Sequence, residues 1–178
     1  MNTVALVESP AQLLNVVEWS AHEQCTPTVL VLAPRNETSR WQLRSMAQLA
    51  REVGLELRWR EPRLGGAAIA RTVRSLTGDL VGVQRLVLGD PFSGVMQVVA
   101  GLSRVEEVVV VDDGTATLEF ARQWSTGEHL RRWHQVATPE QRRQITRFAR
   151  NQIADSLRRR LGSEGGSRLT VFTCLPVQ

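Results

Sequence analysis

The chain of 178 residues contains no lysine and no tyrosine, and it has only two cysteines and three histidines. The cysteines, Cys25 and Cys174, are too few and too far apart for a disulfide framework, and neither stands at metal-ligand spacing. No apolar run approaches the roughly 20 residues that a membrane-spanning helix needs. The N-terminal segment has no basic residue, and Glu8 would interrupt the core of a signal peptide. We therefore expect a cytoplasmic protein.

Several catalytic signatures are also missing. The chain has no P-loop, no Gly-x-Gly-x-x-Gly segment and no Gly-x-Ser-x-Gly nucleophile elbow. None of the histidines, which are His22, His129 and His134, has a partner at metal-ligand spacing. These absences argue against P-loop, dinucleotide-binding and serine-nucleophile enzymes, and we predict no bound metal.

Buried strands and amphipathic helices alternate along the chain. In the stretch from Val108 to Thr117, four valines have the pattern of a strand buried on both faces, and an Asp-Asp-Gly turn and a threonine follow them. Such alternation predicts a Rossmann-like, three-layer αβα fold with a mostly parallel sheet of about six strands. The fold class favours the strand order 3-2-1-4-5, with the reversal between the first and fourth strands. The predicted strands cover residues 3–8, 28–33, 55–61, 85–90, 107–114 and 168–175.

The helices begin at recognisable caps. Ser9 is a good N-cap, Pro10 suits the first helical position and Gln12 completes a capping box, so a helix is expected to run to about Gln24. Thr115 is the expected cap of the helix after the fifth strand. The other predicted helices cover residues 39–54, 66–76, about 93–102 and 138–161.

One domain, residues 1–178, accounts for the length, with a core of residues 1–127 and a basic region of residues 128–162. The basic region holds Glu140 and Asp155 as its only acids after Leu130, against nine arginines: Arg131, Arg132, Arg142, Arg143, Arg147, Arg150, Arg158, Arg159 and Arg160. The helix 138–161 is a candidate contact for an anionic surface, including the inner face of a membrane, and it could equally be a solvated face. A homodimer is also left open.

Polar segments follow three strands that should end at one edge of the sheet. These are Ser9 to Gln12, Asp90 to Ser93 and Asp112 to Gly114. Helix N-termini at Ser9 and Ser93 would favour an anionic or hydroxyl-rich ligand. A carboxylate there can accept a proton from a hydroxyl, and an oxygen-rich site also suits Mg²⁺. The Asp-Asp-Gly segment could instead be only a turn before a helix.

Two of these segments resemble motifs of a known enzyme family. Val7 to Leu13 resembles the Ser/Thr-Pro-x-Gln segment near the start of bacterial glycosyltransferase family 52, which includes sialyltransferases of lipooligosaccharide. Val111 to Gly114 resembles the acidic Asp/Glu-Asp/Glu-Gly motif that this family shares with capsule polysialyltransferases. Phe172 and Thr173 resemble the strand that begins the second half of such enzymes. The resemblance covers two short motifs and the general layout of the chain.

The resemblance implies one half of a GT-B glycosyltransferase, which binds the glycan acceptor. Asp113 would be the general base of an inverting, metal-independent transfer, with Asp112 as the second choice, and Ser9, Pro10, Gln12, Asp90, Ser93, Gly114 and Thr115 would bind substrate. The nucleotide-sugar donor, such as CMP-sialic acid, would be held by a C-terminal domain through His-Pro and Ser-Ser motifs. His134 precedes Gln135 and no Ser-Ser pair occurs here, so the resemblance implies that the chain alone is inactive.

Two alternatives stay open. Val7 to Ala11 also resembles the first motif of Toprim domains, in which Glu8 would serve acid–base chemistry with Mg²⁺ on nucleic acid. Asp90 and Pro91 would then begin the Asp-x-Asp motif, but Phe92 stands where the second aspartate should be. The other alternative is a non-catalytic α/β module that binds a ligand or a partner.

Overall fold

The computed structural model of the protein describes residues 1–34, 36–61, 66–111, 114–128, 130, 158–159, 161 and 166–173, with the backbone alone at residues 66–69 and 115. The predicted Asp112 and Asp113, most of the helix 138–161 and the end of the last strand lie outside these residues.

A six-stranded sheet forms the centre of the described structure. Its order is β3-β2-β1-β4-β5-β6, and all five pairings are parallel. The predicted fold class, the order of the first five strands and the reversal between strands one and four are therefore confirmed. The strands are β1 Thr3–Val7, β2 Thr28–Leu32, β3 Glu56–Arg60, β4 Arg85–Leu88, β5 Glu107–Val111 and β6 Arg168–Phe172. The first four strands are each one or two residues shorter than predicted, because flanking residues such as Glu8, Glu61 and Asp90 belong to the loops.

Five helices are described between the strands: α1 Pro10–His22, α2 Glu37–Glu52, α3 Gly66–Asp79, α4 Gly94–Leu102 and α5 Thr115–Ser125. Helix α2 begins before the predicted position because Asn36 caps it, with its side-chain oxygen accepting from the Thr38 N–H at 2.8 Å. The prediction that Thr115 caps α5 is wrong, because Gly114 occupies the N-cap position with a φ of +90°. Side chains rarely adopt that backbone conformation, whereas glycine does so freely.

Apolar side chains cover both faces of the sheet. On one face, β-strand residues pack with Leu13 and Trp19 of α1 and with Leu43 of α2. On the other face, they pack with α3, α4 and α5, and the largest residues there include Met96 and Phe120. The four valines from Val108 to Val111 alternate between the two faces, and all are buried. The prediction of a strand buried on both faces is confirmed.

At the amino end of the sheet, a buried carboxylate links three neighbouring strands through hydrogen bonds. Glu107 accepts hydrogen bonds from Arg85 Nε at 2.6 Å, Arg168 Nε at 3.1 Å and Thr170 Oγ1 at 2.8 Å. The Arg85 guanidinium also lies 5.6 Å from the ring centre of Trp19. Burial opposes ionisation of Glu107, but the hydrogen bonds from Arg168, Thr170 and Arg85 outweigh it and lower the pKa of this carboxyl. This network joins β4, β5 and β6 at the end opposite to the predicted site.

Candidate functional site

The carboxyl ends of β1 and β4 mark the switch point of the sheet, which is the position where the order of successive strands reverses. After β1 the chain crosses to β2 on one side, and after β4 it crosses to β5 on the other. The Gly89 N–H donates to the Leu6 carbonyl at 2.9 Å, which extends the pairing of the two strands by one residue. Open α/β folds bind ligands in the crevice at this position. The predicted Ser9–Gln12 and Asp90–Ser93 segments are therefore neighbours.

Helix α1 begins with a modified capping box. Ser9 Oγ accepts from the Gln12 N–H at 3.2 Å, and Pro10 takes the first helical position, as predicted. Gln12 Oε1, however, accepts from the N–H of Glu8 at 2.7 Å, whereas a capping box would use the N–H of Ser9. Gln12 is only 3% exposed. It therefore fixes the backbone that leads out of β1 as well as the first turn of the helix.

Gln12 also contacts the end of β4. A Cβ built on Gly89 would lie 2.8 Å from Cβ and 2.9 Å from Oε1 of Gln12. These distances are too short for real contacts, so only glycine allows the two segments to approach this closely. Gly89 was not among the predicted site residues. The sequence places Gly89 inside the predicted strand 85–90, where a glycine can mark a close approach of another part of the chain.

A hydrogen bond between side chains crosses the switch point. Ser93 Oγ donates to Glu8 Oε1 at 3.0 Å. Ser93 takes the N-cap position of α4, but its side chain makes no capping bond there. Glu8 was absent from the predicted glycosyltransferase site and appeared only in the Toprim alternative. The two residues are 85 positions apart, so no local pattern could pair them.

The loop after β4 is held rigid by its own contacts. Asp90 is 6% exposed, and its Oδ1 accepts from the Phe92 N–H at 2.8 Å. Gln97 Nε2 donates to the Pro91 carbonyl at 2.7 Å. The Phe92 ring meets the Phe120 ring edge-on, with centroids 6.2 Å apart. The structure thus gives Asp90 a role in forming the turn, in addition to its predicted place in the ligand site.

The remaining predicted site residues follow β5, which pairs with β4. Asp112 and Asp113 lie outside the described residues. Val111, which precedes them, is fully buried, and Gly114, which follows them, is partly exposed. Thr115 is the first residue of α5. The segment that contains both aspartates therefore starts from the strand next to β4, at the same edge of the sheet.

Part of the basic region contacts the body of the protein. The Arg158 guanidinium donates to the carbonyls of Gln123 and Trp124, in the last turn of α5, and of Glu128, which follows the helix. It also lies 5.0 Å from the Trp124 ring centre. Trp124 also packs against Phe120, with centroids 5.8 Å apart. Arg158 thus stabilises the end of a helix, where unpaired carbonyls attract cations.

A second concave surface lies away from the crevice, between α2 and the edge strand β3. Arg44, Arg51, Trp59 and Glu61 line this open groove of about 330 Å³. The Glu61 carboxylate is paired with Arg40 at 2.6 Å.

Within the described part of the chain, no three His, Cys, Asp or Glu side chains are grouped so that they could hold a metal ion. None of the described helices has the length and apolar character needed to cross a membrane. Comparison with protein-family models, with curated proteins and with solved structures found no match to this chain.

Proposed function

We propose that this chain is the acceptor-side domain of an inverting, metal-independent glycosyltransferase that moves a sugar from a nucleotide donor to a glycan hydroxyl. The observation that carries the proposal is the 3.0 Å hydrogen bond between Ser93 Oγ and Glu8. It links the predicted Asp90–Ser93 segment to the residue that precedes the predicted Ser9–Gln12 segment, at the switch point. The strand that leads into Asp112 and Asp113 ends beside them.

The crevice suits a ligand rich in hydroxyl groups. Helices α1 and α4 both begin at it, and the N–H groups of a first helical turn favour oxygen atoms. Ser93 does not cap α4 with its side chain, so the first N–H groups of that helix keep their tendency to bind oxygen. The loop after β4 is already fixed by Asp90 and Gln97, so little ordering entropy opposes binding.

The proposed transfer needs one base on this side of the reaction. Asp113 takes the proton of the acceptor hydroxyl as its oxygen attacks the anomeric carbon, and the bond from that carbon to the nucleotide phosphate breaks with inversion. A carboxylate in this position makes the hydroxyl oxygen a better nucleophile. The sequence has neither a His-Pro pair nor a Ser-Ser pair, so the donor is assigned to a separate domain.

A binding experiment on the chain alone separates the acceptor from the donor. The ¹⁵N-labelled protein is titrated with lactose, a neutral glycan, and separately with CMP-sialic acid. We expect lactose to shift the amides of Gly89, Ser93 and Gly114, and the donor alone to leave them unchanged. The amides of Gly54, in the turn after α2, and of Gly78, in α3, serve as internal controls. Donor binding at the crevice without lactose binding would contradict the assignment.

The Toprim-like alternative gains no support from the described residues. Glu8 and Asp90 follow neighbouring strands, but no third His, Cys, Asp or Glu side chain within the described residues is grouped with them to hold a metal ion. Titration of the ¹⁵N-labelled protein with millimolar MgCl₂ is therefore expected to leave the amide chemical shifts of Glu8 and Asp90 unchanged. A saturable shift at both would favour the Mg²⁺ enzyme over the glycosyltransferase.

A further inference from the structure

The groove between α2 and β3 carries two arginines that have no acidic partner. Arg44 and Arg51 are seven residues apart on α2, so they lie on the same side of the helix, two turns and about 10.5 Å apart along its axis. Both are exposed. Within the described residues, no ion pair involves either of them. Their guanidinium groups can therefore bind an anion that enters the groove.

The carboxylate among the lining residues is already neutralised. Both oxygens of Glu61 accept from Arg40, at 2.9 Å from Nη1 and 2.6 Å from Nη2. These bonds lower the pKa of Glu61, and the charge of Arg44 acts in the same direction. Arg40 is thus used within the protein, whereas Arg44 and Arg51 give the groove an excess of positive charge.

Trp59 adds an aromatic surface to this positive groove. Its side chain is half-buried and packs partly against the core cluster that contains Leu43 and Ala47 of α2. The rest of the side chain lines the groove. A tryptophan ring can stack on a nucleobase, and guanidinium groups match the geometry of phosphate oxygens. The groove therefore combines the two contacts that a nucleotide requires.

We infer that the groove binds a mononucleotide, whose phosphate is held by Arg44 and Arg51 and whose base stacks on Trp59. A phosphate monoester carries a charge of about −1.5 to −2 at pH 7, which two arginines balance. The volume of about 330 Å³ is at the lower end of the range of roughly 300–1,000 Å³ for small-molecule sites, which favours one nucleotide over a long strand. The groove lies away from the crevice, so the inference does not rest on the proposed function.

Isothermal titration of the full chain uses three probes that separate the two contacts. Adenosine 5′-monophosphate (AMP) has both groups, adenosine lacks the phosphate and ribose 5-phosphate lacks the base. We expect AMP to bind at least about tenfold more tightly than adenosine, because the charged hydrogen bonds are lost. It should also bind about fivefold or more tightly than ribose 5-phosphate, because stacking is lost.

Substitutions in the groove should remove each contact separately. Arg44→Gln and Arg51→Gln should each weaken AMP binding about tenfold and leave adenosine binding unchanged. Trp59→Ala should abolish the preference for AMP over ribose 5-phosphate, and Trp59→Phe should retain part of it. Arg71→Gln and Arg74→Gln remove the same charge from exposed positions of α3, on the opposite face of the sheet. These matched controls should keep the wild-type affinity, and circular dichroism checks the fold of every variant.

Four results would overturn the inference. They are no saturable binding of AMP, equal affinity for AMP and ribose 5-phosphate, an equal loss of affinity in the α3 controls, and binding of hexadeoxyadenylate without binding of AMP. The second would reduce the groove to an anion site, the third would indicate general charge attraction, and the fourth would assign the groove to a nucleic-acid strand. None of them changes the lactose titration, which tests the crevice independently.

Discussion

Gln12 lies so close to Gly89 that the two segments at the switch point can meet only because position 89 has no side chain. A Cβ there would fall 2.8 Å from the Cβ of Gln12, which is the stiff base of the side chain. We expect Gly89→Ala to displace Gln12, break its 2.7 Å bond to the Glu8 N–H and lower the free energy of unfolding by about 1–3 kcal/mol.

Urea denaturation measures this effect, and Gly78→Ala is the matched control. Gly78 lies in α3, and a Cβ at this position would meet no atom within 4 Å, so alanine there should stabilise the helix by about 0.5–1 kcal/mol. We therefore expect Gly89→Ala to lower the free energy of unfolding and Gly78→Ala to raise it. If Gly89→Ala were as stable as the wild type, the contact with Gln12 would not be a tight one.

The acid side of the stability profile is expected to depend on Glu107. Its pKa is lowered in the folded state by Arg168, Thr170 and Arg85, so the native protein holds the charged form more strongly than the unfolded chain does. The resulting stability is complete above the ordinary glutamate pKa of about 4.3, and it is lost as the pH falls through the lower folded-state value.

Glu107→Gln should therefore destabilise the protein by about 3 kcal/mol at neutral pH, because it removes the buried carboxylate that pairs with Arg85 and leaves only the more exposed Glu23 as its charged partner. It should also make the free energy of unfolding depend less on pH below about 4.3. Chemical denaturation across a pH series gives both quantities. Glu56→Gln, which removes an exposed carboxylate on β3 paired with Arg58, is the control and should change the profile little.

The basic region was predicted as a solvated or ligand-binding face, and Arg158 has a different role. Its guanidinium binds carbonyls at the end of α5 and stacks on Trp124. Arg158→Ala should lower the free energy of unfolding by about 1.5–3 kcal/mol, since hydrogen bonds from a charged donor are lost. Thermal denaturation beside Arg159→Ala, an exposed neighbour, tests this. Equal melting temperatures for the two variants would show that the contacts of Arg158 contribute little.

Local patterns predicted the elements well, because each depends on near neighbours in the chain. The run of valines in β5 and the Ser9 cap of α1 illustrate this. Contacts between distant residues could not be predicted in the same way. Nothing in the sequence pattern indicates that Ser93 and Glu8 are in contact. Gly114 rather than Thr115 caps α5 because of a backbone angle that is set only in the folded loop.

The catalytic assignment has its own test, in a polypeptide that joins this chain to a donor-binding domain. Asp113→Asn keeps the shape of the side chain but cannot accept the acceptor proton. We expect it to lower kcat by about 10²-fold to 10⁴-fold and to remove the acid limb of the pH–rate profile, with KM for the acceptor little changed. Asp112→Asn should have a smaller effect on kcat.

Sugar transfer measured with a labelled donor gives these constants, and the lactose titration of the same variants shows that the crevice is intact. A larger loss of kcat for Asp112→Asn than for Asp113→Asn would identify Asp112 as the general base. Near-wild-type turnover for both variants would contradict the proposed mechanism, because no other carboxylate was assigned to take the proton. The crevice of Glu8, Gln12 and Ser93 would then be a binding site whose chemistry is supplied elsewhere.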